Sequence, residues 1–167
     1  MNYNIILKKL SYLFLSFALI SSFVSCEKVE SVPDESDIAI GALTGTWVVN
    51  IDVDGETAAE DILITTYNTA ANSTDSMWLD DLEHYYGLKA KVNLDFNSMT
   101  FSGTDLDELH FEVKVNITEG TITKGGATTP SGEVVDSISF NAEFSDSPGV
   151  IFKHYGYKST AKIIDLP

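Results

Sequence analysis

The sequence predicts an all-β domain, an eight-stranded antiparallel up-and-down β-barrel. Three observations carry this prediction. Segment after segment alternates apolar and polar residues, the period-two pattern of a strand with one buried face. Short links containing Gly, Asn or Asp separate the segments, as hairpins require. No long stretch carries the periodicity of an amphipathic helix. An antiparallel sheet of eight strands can close on itself, which removes the exposed edges that invite aggregation.

The elements follow in order. Trp47, Val49, Ile51 and Val53 alternate with Val48, Asn50 and Asp52, and Asp54-Gly55 supplies a turn. Residues 61–68 (DILITTYN) form a second strand, rich in β-branched side chains. Residues 76–86 (SMWLDDLEHYY) fit two descriptions. Trp78, Leu82 and Tyr85 have near-helical spacing behind Ser76, whereas a short strand from Ser76 to Asp80 followed by a turn completes a set of eight and is favoured. Leu88, Ala90, Val92, Leu94 and Phe96 give the cleanest alternation, with Asn97-Ser98 as a two-residue link to a return strand, Met99 to Gly103. Leu109, Phe111, Val113, Val115 and Ile117 are expected inward on the next strand, with His110 outward, and the phase shift beyond Gly120 predicts a bulge. Residues 125–132 (GGATTPSG) read as a loop. Val134, Ile138, Phe140, Ala142 and Phe144 form the seventh strand, and Asp136, on the apolar phase, is expected at the barrel rim. In the eighth, Tyr155, Tyr157, Ala161 and Ile163 are expected inward, with Lys158, Thr160 and Lys162 outward.

Ahead of this domain, residues 1–25 carry Lys8 and Lys9, an apolar run from Leu10 to Leu19 and a serine-rich end, the layout of an export signal. The apolar run is shorter than the roughly 20 residues a spanning helix needs. The lone cysteine of the chain, Cys26, follows it in Phe23-Val24-Ser25-Cys26, which resembles the lipobox cut by lipoprotein signal peptidase, with Phe23 where Leu is usual. That resemblance implies acylation of Cys26 and a protein held on the membrane of a cell envelope, expected to be the outer membrane. Acyl chains anchor through about 0.8 kcal/mol per buried methylene. A single cysteine excludes an intrachain disulfide. Residues 26–40 are then the lipidated cysteine and a flexible acidic tether, and residues 41–167 the barrel. Removing Lys8 and Lys9 from the formal net charge of −15 leaves −17, with no arginine in the chain. Nucleic acid as a partner is excluded by that balance, because phosphates are neutralised by Lys and Arg.

Gly45-Thr46-Trp47 resembles the Gly-x-Trp signature of lipocalin-like barrels. The stretches GTWVVNIDVDG, TTYNTAANSTDSMWLDD and KAKVNLDFNSMTFSG resemble a family of lipocalin-like (calycin-type) lipoproteins of Bacteroidota, known as lipid-binding "putative hydrolases", over about residues 41–165. The resemblance implies a barrel whose tryptophan plugs one end and whose interior takes a small apolar ligand. It also implies a late arginine packed on that tryptophan; here Lys158 or Lys162 substitutes, or the closed end is built differently. Residues expected to line the interior are Trp47, Phe96, Phe101, Phe111, Phe140, Phe144 and Tyr157.

Catalytic signals are weak. There is no Gly-x-Ser-x-Gly elbow and no glycine-rich phosphate loop. His84, His110 and His154 are scattered, the last two expected in solvent. On a helix Asp80 would share a face with His84, but two ligands do not make a metal site. Asp52-Val53-Asp54-Gly55-Glu56 starts like a calcium loop without its remaining ligands, and Asp105, Asp107 and Glu108 form another acidic turn; no cofactor or metal is expected. Asp75-Ser76-Met77 and Asp136-Ser137-Ile138 resemble the O-glycosylation sequon of exported Bacteroidota proteins. The function expected is binding of a small apolar or amphipathic ligand by a membrane-anchored barrel. The alternative is an accessory surface lipoprotein with a filled core, acting through protein or glycan partners.

Overall fold

The computed structural model describes residues 37–167, which form a closed barrel of eight antiparallel strands in sequence order. The strands are β1 (Gly45–Val53), β2 (Glu56–Asn68), β3 (Ser76–Asp80), β4 (Lys89–Asp95), β5 (Thr100–Asp107), β6 (Lys114–Thr128), β7 (Val134–Phe144) and β8 (Phe152–Lys158). The expected all-β up-and-down barrel is therefore found, with residues 76–80 as a strand. The expected export signal and Cys26 lie outside the described residues. Closure is made by β1 and β8, paired from Trp47–Lys158 to Val53–Phe152.

Closure gives the sheet one inner face, and the period-two pattern fills it. Trp47, Val49 and Ile51 from β1, Ala90, Val92 and Leu94 from β4, and Ile138, Phe140, Ala142 and Phe144 from β7 are all buried. Asp54 and Gly55 have φ of 53° and 83°, the left-handed pair of a tight two-residue hairpin. The bulge expected beyond Gly120 appears as a register shift between Thr118 and Thr121. Other bulges share a device: a residue with positive φ donates its amide to an Asn or Asp side chain across the ladder. Asp61 donates to Asn50 at 3.1 Å, Asp105 to Asn116 at 2.9 Å and Gly125 to Asp136 at 3.0 Å. Asp136 thus sits half-buried inside β7, opposite the bulge of β6, with its carboxylate satisfied by the Gly125 amide.

Four expectations need correction. The segment from Leu109 to Val113 is a turn, not the start of β6. Both carboxylate oxygens of Glu108 accept loop amides, from His110 and Phe111 at 2.7 Å each, and this capture breaks the ladder. Leu109 and Phe111 are therefore outside, 50% and 62% exposed. The β4–β5 link holds four residues, 96–99, because the Asp95 carboxylate accepts the amides of Asn97 and Ser98 and Met99 takes a φ of 56°. The loop expected over residues 125–132 is shortened, since β6 runs to Thr128. In β8 the parity is inverted: Phe152 and His154 are buried, whereas Tyr155 and Tyr157 point outward and Ile163 is 91% exposed.

One end of the barrel is sealed. A 3-10 turn, Gly41–Leu43, lies across it with Ile40 and Leu43 fully buried, so the last residues of the expected tether pack onto the barrel. Thr66 ties the seal together, donating to Leu43 O at 2.7 Å and accepting from Trp47 Nε1 at 2.9 Å. Lys158 Nζ lies 5.8 Å from the centre of the Trp47 ring, within cation–π range, and takes the place of the expected arginine. Lys162 pairs instead with Glu133. Beside this seal the C-terminal segment is fastened through Asp165, which accepts from Ser131 N, Ser131 Oγ and Thr160 Oγ1 at 2.7, 2.8 and 2.6 Å. Burial pushes the Asp165 carboxyl up, but these donors outweigh it and hold it at about 2.

Trp47→Ala should lower the unfolding free energy by about 3–5 kcal/mol, the usual cost of truncating a buried aromatic. Trp78, half-buried on the outer face and stacked on Tyr67 at 6.4 Å, should cost only about 0.5–1.5 kcal/mol on truncation. Urea titrations followed by circular dichroism check this, and equal losses would show that Trp47 does not seal the barrel.

Candidate ligand-binding interior and its mouth

The inner wall is apolar and aromatic along its length. Of the residues expected to line it, Trp47, Phe101, Phe140 and Phe144 are inside and buried. Phe101 and Phe140 meet at 5.8 Å between ring centres. Phe96 is half-buried at the β4–β5 turn and packs against the core. Phe111 lies outside the barrel over Gly87, where an added Cβ would fall 2.2 Å from the Phe111 ring. Tyr157 faces outward and donates to Asp165 O at 3.3 Å.

Sequence reasoning missed His154. It faces inward, 2% exposed, with its ring flat against Phe140 at 4.3 Å and 9°. Burial lowers the imidazole pKa from 6.5 to about 4, only partly offset by the Phe152 carbonyl, so the ring is neutral at physiological pH. The missed signal is its phase: Phe152, His154 and Gly156 share one parity, but only the first is apolar by type.

The end opposite the seal is the mouth, formed by the β1–β2 hairpin and the loops 81–88, 108–113 and 145–151. Tyr86, half-buried, covers it. Its ring rests on Phe144 at 4.3 Å and Phe152 at 4.8 Å, and its hydroxyl meets Ser147 Oγ at 2.8 Å and Asp146 at 3.3 Å. Leu82, Tyr85, Leu109, Phe111 and Ile151, all on these loops, are at least 38% exposed. A concentration of exposed apolar side chains at one end of a barrel marks an interaction site.

A polar network holds the loops around this mouth. Asp81 accepts the amides of Glu83 and Gly87 at 2.9 Å each, which fixes the turn carrying Tyr86. Asp80 accepts from Lys89 Nζ at 2.8 Å, Tyr67 Oη at 3.0 Å and Leu82 N at 2.9 Å. Burial pushes the Asp80 carboxyl up, but these donors outweigh it and keep it below the usual carboxylate range. His110, not His84, is the histidine beside Asp80: its Nε2 lies 3.6 Å from Asp80 Oδ1. His84 sits on an exposed turn and bonds Leu63 O at 2.9 Å. Asp80, Asp81 and His110 bring one ligand atom each within 4.8 Å of one another. The Lys89 ammonium already supplies Asp80 with its positive charge, so the cluster serves to fasten the loop. Among the described residues, no hydroxyl or thiol hydrogen-bonds the ring of any histidine, and no nucleophile–base pair is assembled.

Two grooves lie on the outer face. One of about 490 Å³ runs between β4, β5 and β6 over Gly120, and one of about 410 Å³ crosses β7, β8 and β1 beneath Tyr155 and Tyr157.

The buried histidine makes a pH prediction. Its folded pKa lies below its unfolded one, so the unfolded chain takes up the proton first as pH falls. Stability should therefore be insensitive to this group above about pH 6.5 and fall between about 6.5 and 4 by up to roughly 1.4 kcal/mol per pH unit. Thermal melts of wild type and His154→Phe across that window should show a flatter curve for the variant; parallel curves would place the acid sensitivity elsewhere.

No curated protein matches the sequence. Residues 32–162 match the model of a family described as "lipid-binding putative hydrolase". The match spans most of the chain and all eight strands of the barrel, and with the closed architecture it shows that the chain belongs to this lipid-binding family.

Proposed function

We propose that the protein is a lipid-anchored binding barrel of the cell envelope, tethered to the outer membrane by an acylated Cys26 and taking a small apolar or amphipathic, lipid-like ligand into its interior. The observation that carries this reading is the asymmetry of the two ends. One end is sealed by Trp47, Thr66 and the 3-10 turn. The other is covered by the Tyr86 ring, on a loop ringed by exposed apolar side chains. A ligand that displaces Tyr86 reaches Phe144, Phe152 and the wall beyond, and gains about 25 cal/mol per Å² of apolar surface buried. Membership of a lipid-binding family supports the same reading. The competing reading, a filled-core accessory lipoprotein acting through partners, is favoured by the tight burial of Trp47, Phe140 and Phe144 and by grooves that lie outside the barrel.

The chain from Glu27 to Pro167 keeps every described strand and the whole core, and suits solution work. Titrated with N-phenyl-1-naphthylamine, it should show saturable fluorescence enhancement that is unchanged at high salt, because no exposed ion pair takes part. Tyr86→Ala should bind several-fold more tightly or faster, whereas Tyr155→Ala, on the outer face, should match wild type. Absence of saturable binding in both wild type and Tyr86→Ala would establish the filled-core reading.

The anchor is tested separately in the full chain. Cys26→Ser should leave the protein uncleaved or soluble, and it should no longer partition into the detergent phase as a processed lipoprotein. Unchanged processing and partitioning would remove the acyl anchor from the proposal.

A further inference from the structure

Both ends of the barrel expose apolar side chains, and the larger exposure is at the sealed end. Ile163, Ile164 and Val134 are each at least 66% exposed, more than any large apolar side chain of the mouth, and Leu166 adds to them. Ile163 and Ile164 belong to a 3-10 turn, Ile163–Asp165, whose one buried residue is Asp165. Val134 follows Glu133, which pairs with Lys162 at the start of that turn. The turn gains nothing from packing its own apolar side chains, yet it is fixed. Three donors hold the Asp165 carboxylate, and the Tyr157 hydroxyl donates to Asp165 O. Single exposed apolar residues are ordinary, but a cluster held out in water by a buried carboxylate marks a surface that meets something apolar.

The chain enters the fold at this same end. Asn72 clasps its first described residues, accepting from Ala39 N at 2.9 Å and donating to Asp37 O at 2.8 Å, and Ile40 is buried. Gly41, Thr44 and Leu166 line one groove, so the entry and the C-terminal segment share a face. Residues 27–36 separate Cys26 from Asp37 and could reach at most about 40 Å when fully extended. The strand β2, which ends beside this entry and begins at the mouth, has 13 residues. That is about 43 Å along the strand, or about 30–35 Å along the axis of a barrel whose strands tilt by about 35–45°. A mouth turned toward the anchoring bilayer would therefore need residues 27–36 drawn out almost straight along the wall, an ordering cost the sealed end does not impose. Charge points the same way. The mouth loops carry Asp54, Asp81, Glu83, Glu108, Glu112 and Asp146, which lipid phosphates repel. From Phe152 to Pro167 the one carboxylate side chain is the buried Asp165, and Lys158 and Lys162 flank it in sequence.

We propose that the sealed end rests on the bilayer that carries the Cys26 anchor, with Ile163, Ile164, Leu166 and Val134 entering its interfacial region. The inference rests on the acyl-anchor reading above and adds the orientation: the mouth points away from the anchoring bilayer, and a ligand is exchanged there with the aqueous side. An apolar patch too small to hold a protein on a membrane by itself engages once the anchor has raised its effective concentration at the surface.

The test supplies the anchor chemically, so that it does not depend on processing in the cell. In the chain 26–167, Cys26 is the lone thiol, and it is coupled to maleimide-bearing phosphatidylethanolamine in phosphatidylcholine vesicles, with or without dibrominated acyl chains. Ile163→Trp reports on the sealed end and Leu109→Trp on the mouth, each read as the difference from wild type. Both positions are exposed, so neither substitution disturbs the core. On coupling, the added indole of Ile163→Trp should emit at shorter wavelength and be quenched about twofold by the bromines, since interfacial side chains sit about 5–10 Å into the head-group boundary. Leu109→Trp should keep its emission. Quenching of Leu109→Trp, alone or together with Ile163→Trp, would bring the mouth to the membrane and overturn the proposal. Quenching of neither would overturn it as well, because the barrel would then hang free of the surface. A shift of Ile163→Trp that precedes the vesicles and grows with protein concentration would assign the patch to a second copy of the chain, against the proposal. These outcomes bear on the orientation alone; failure of the acyl anchor itself is read from Cys26→Ser in the full chain.

Discussion

The ladder between β1 and β8 is the constraint on which the rest of the structure depends. With the seam from Trp47–Lys158 to Val53–Phe152 made, the sheet has no edge and the chain acquires one shared interior. Every second residue of every strand is then committed to that interior, and its chemistry is fixed by exclusion of water. The tightness of the seam is visible at Gly156, where an added Cβ would fall 2.0 Å from Val48 O. Glycine is required there by close backbone approach.

The two ends of the cylinder use different physics. The sealed end is closed by one buried indole whose polar atom is satisfied by Thr66, and the same threonine binds the 3-10 turn through Leu43. In that arrangement the indole N–H and the Thr66 hydroxyl both have partners, which favours permanence. At the mouth, closure rests on the Tyr86 ring against two phenylalanines and on a hydroxyl contact to Ser147. The loop carrying Tyr86 is held from below by Asp80 and Asp81, whose carboxylates accept loop amides. Such a cover can move without unmaking the barrel, because the hydrogen bonds of the Tyr86 hydroxyl are made to side chains of the loop 145–151 and not in the strand ladder.

The strongly acidic composition becomes intelligible on the same grounds. Asp81, Asp95, Glu108, Asp136 and Asp165 accept backbone amides at turns and bulges that bend strands or end them. Carboxylates used this way substitute for ladder hydrogen bonds that closure and curvature interrupt. The acidic turns are thus structural, and among the described residues the buried side-chain atoms left without a hydrogen-bond partner are Thr69 Oγ1 and His110 Nε2.

Much of this was legible in the sequence, for a physical reason. Strand type, strand number, the Asp54-Gly55 turn and the bulge past Gly120 follow from local rules: side-chain alternation, φ preference and phase shift act over a few residues. The inward sets of β1, β4 and β7 were readable because their residues are aliphatic, phenylalanine or, at Trp47, tryptophan, with little reason to face water. Tyrosine carries no such instruction. Tyr155 and Tyr157 present rings to the outer groove and hydroxyls to Asp52 and Asp165, while the inner phase of β8 after Phe152 holds His154, Gly156 and Lys158, none apolar by type. Phe111 was misplaced because Glu108 converts an apparently continuous alternation into a turn, through amides supplied only once the chain has folded. The meeting of His110 with Asp80 and the covering of the mouth by Tyr86 join segments distant in the chain. The sequence by itself therefore determined the barrel, because period and turn chemistry are local; which histidine lies in the core, and which aromatic closes the mouth, only the tertiary structure decided, because those depend on where closure brings the strands together.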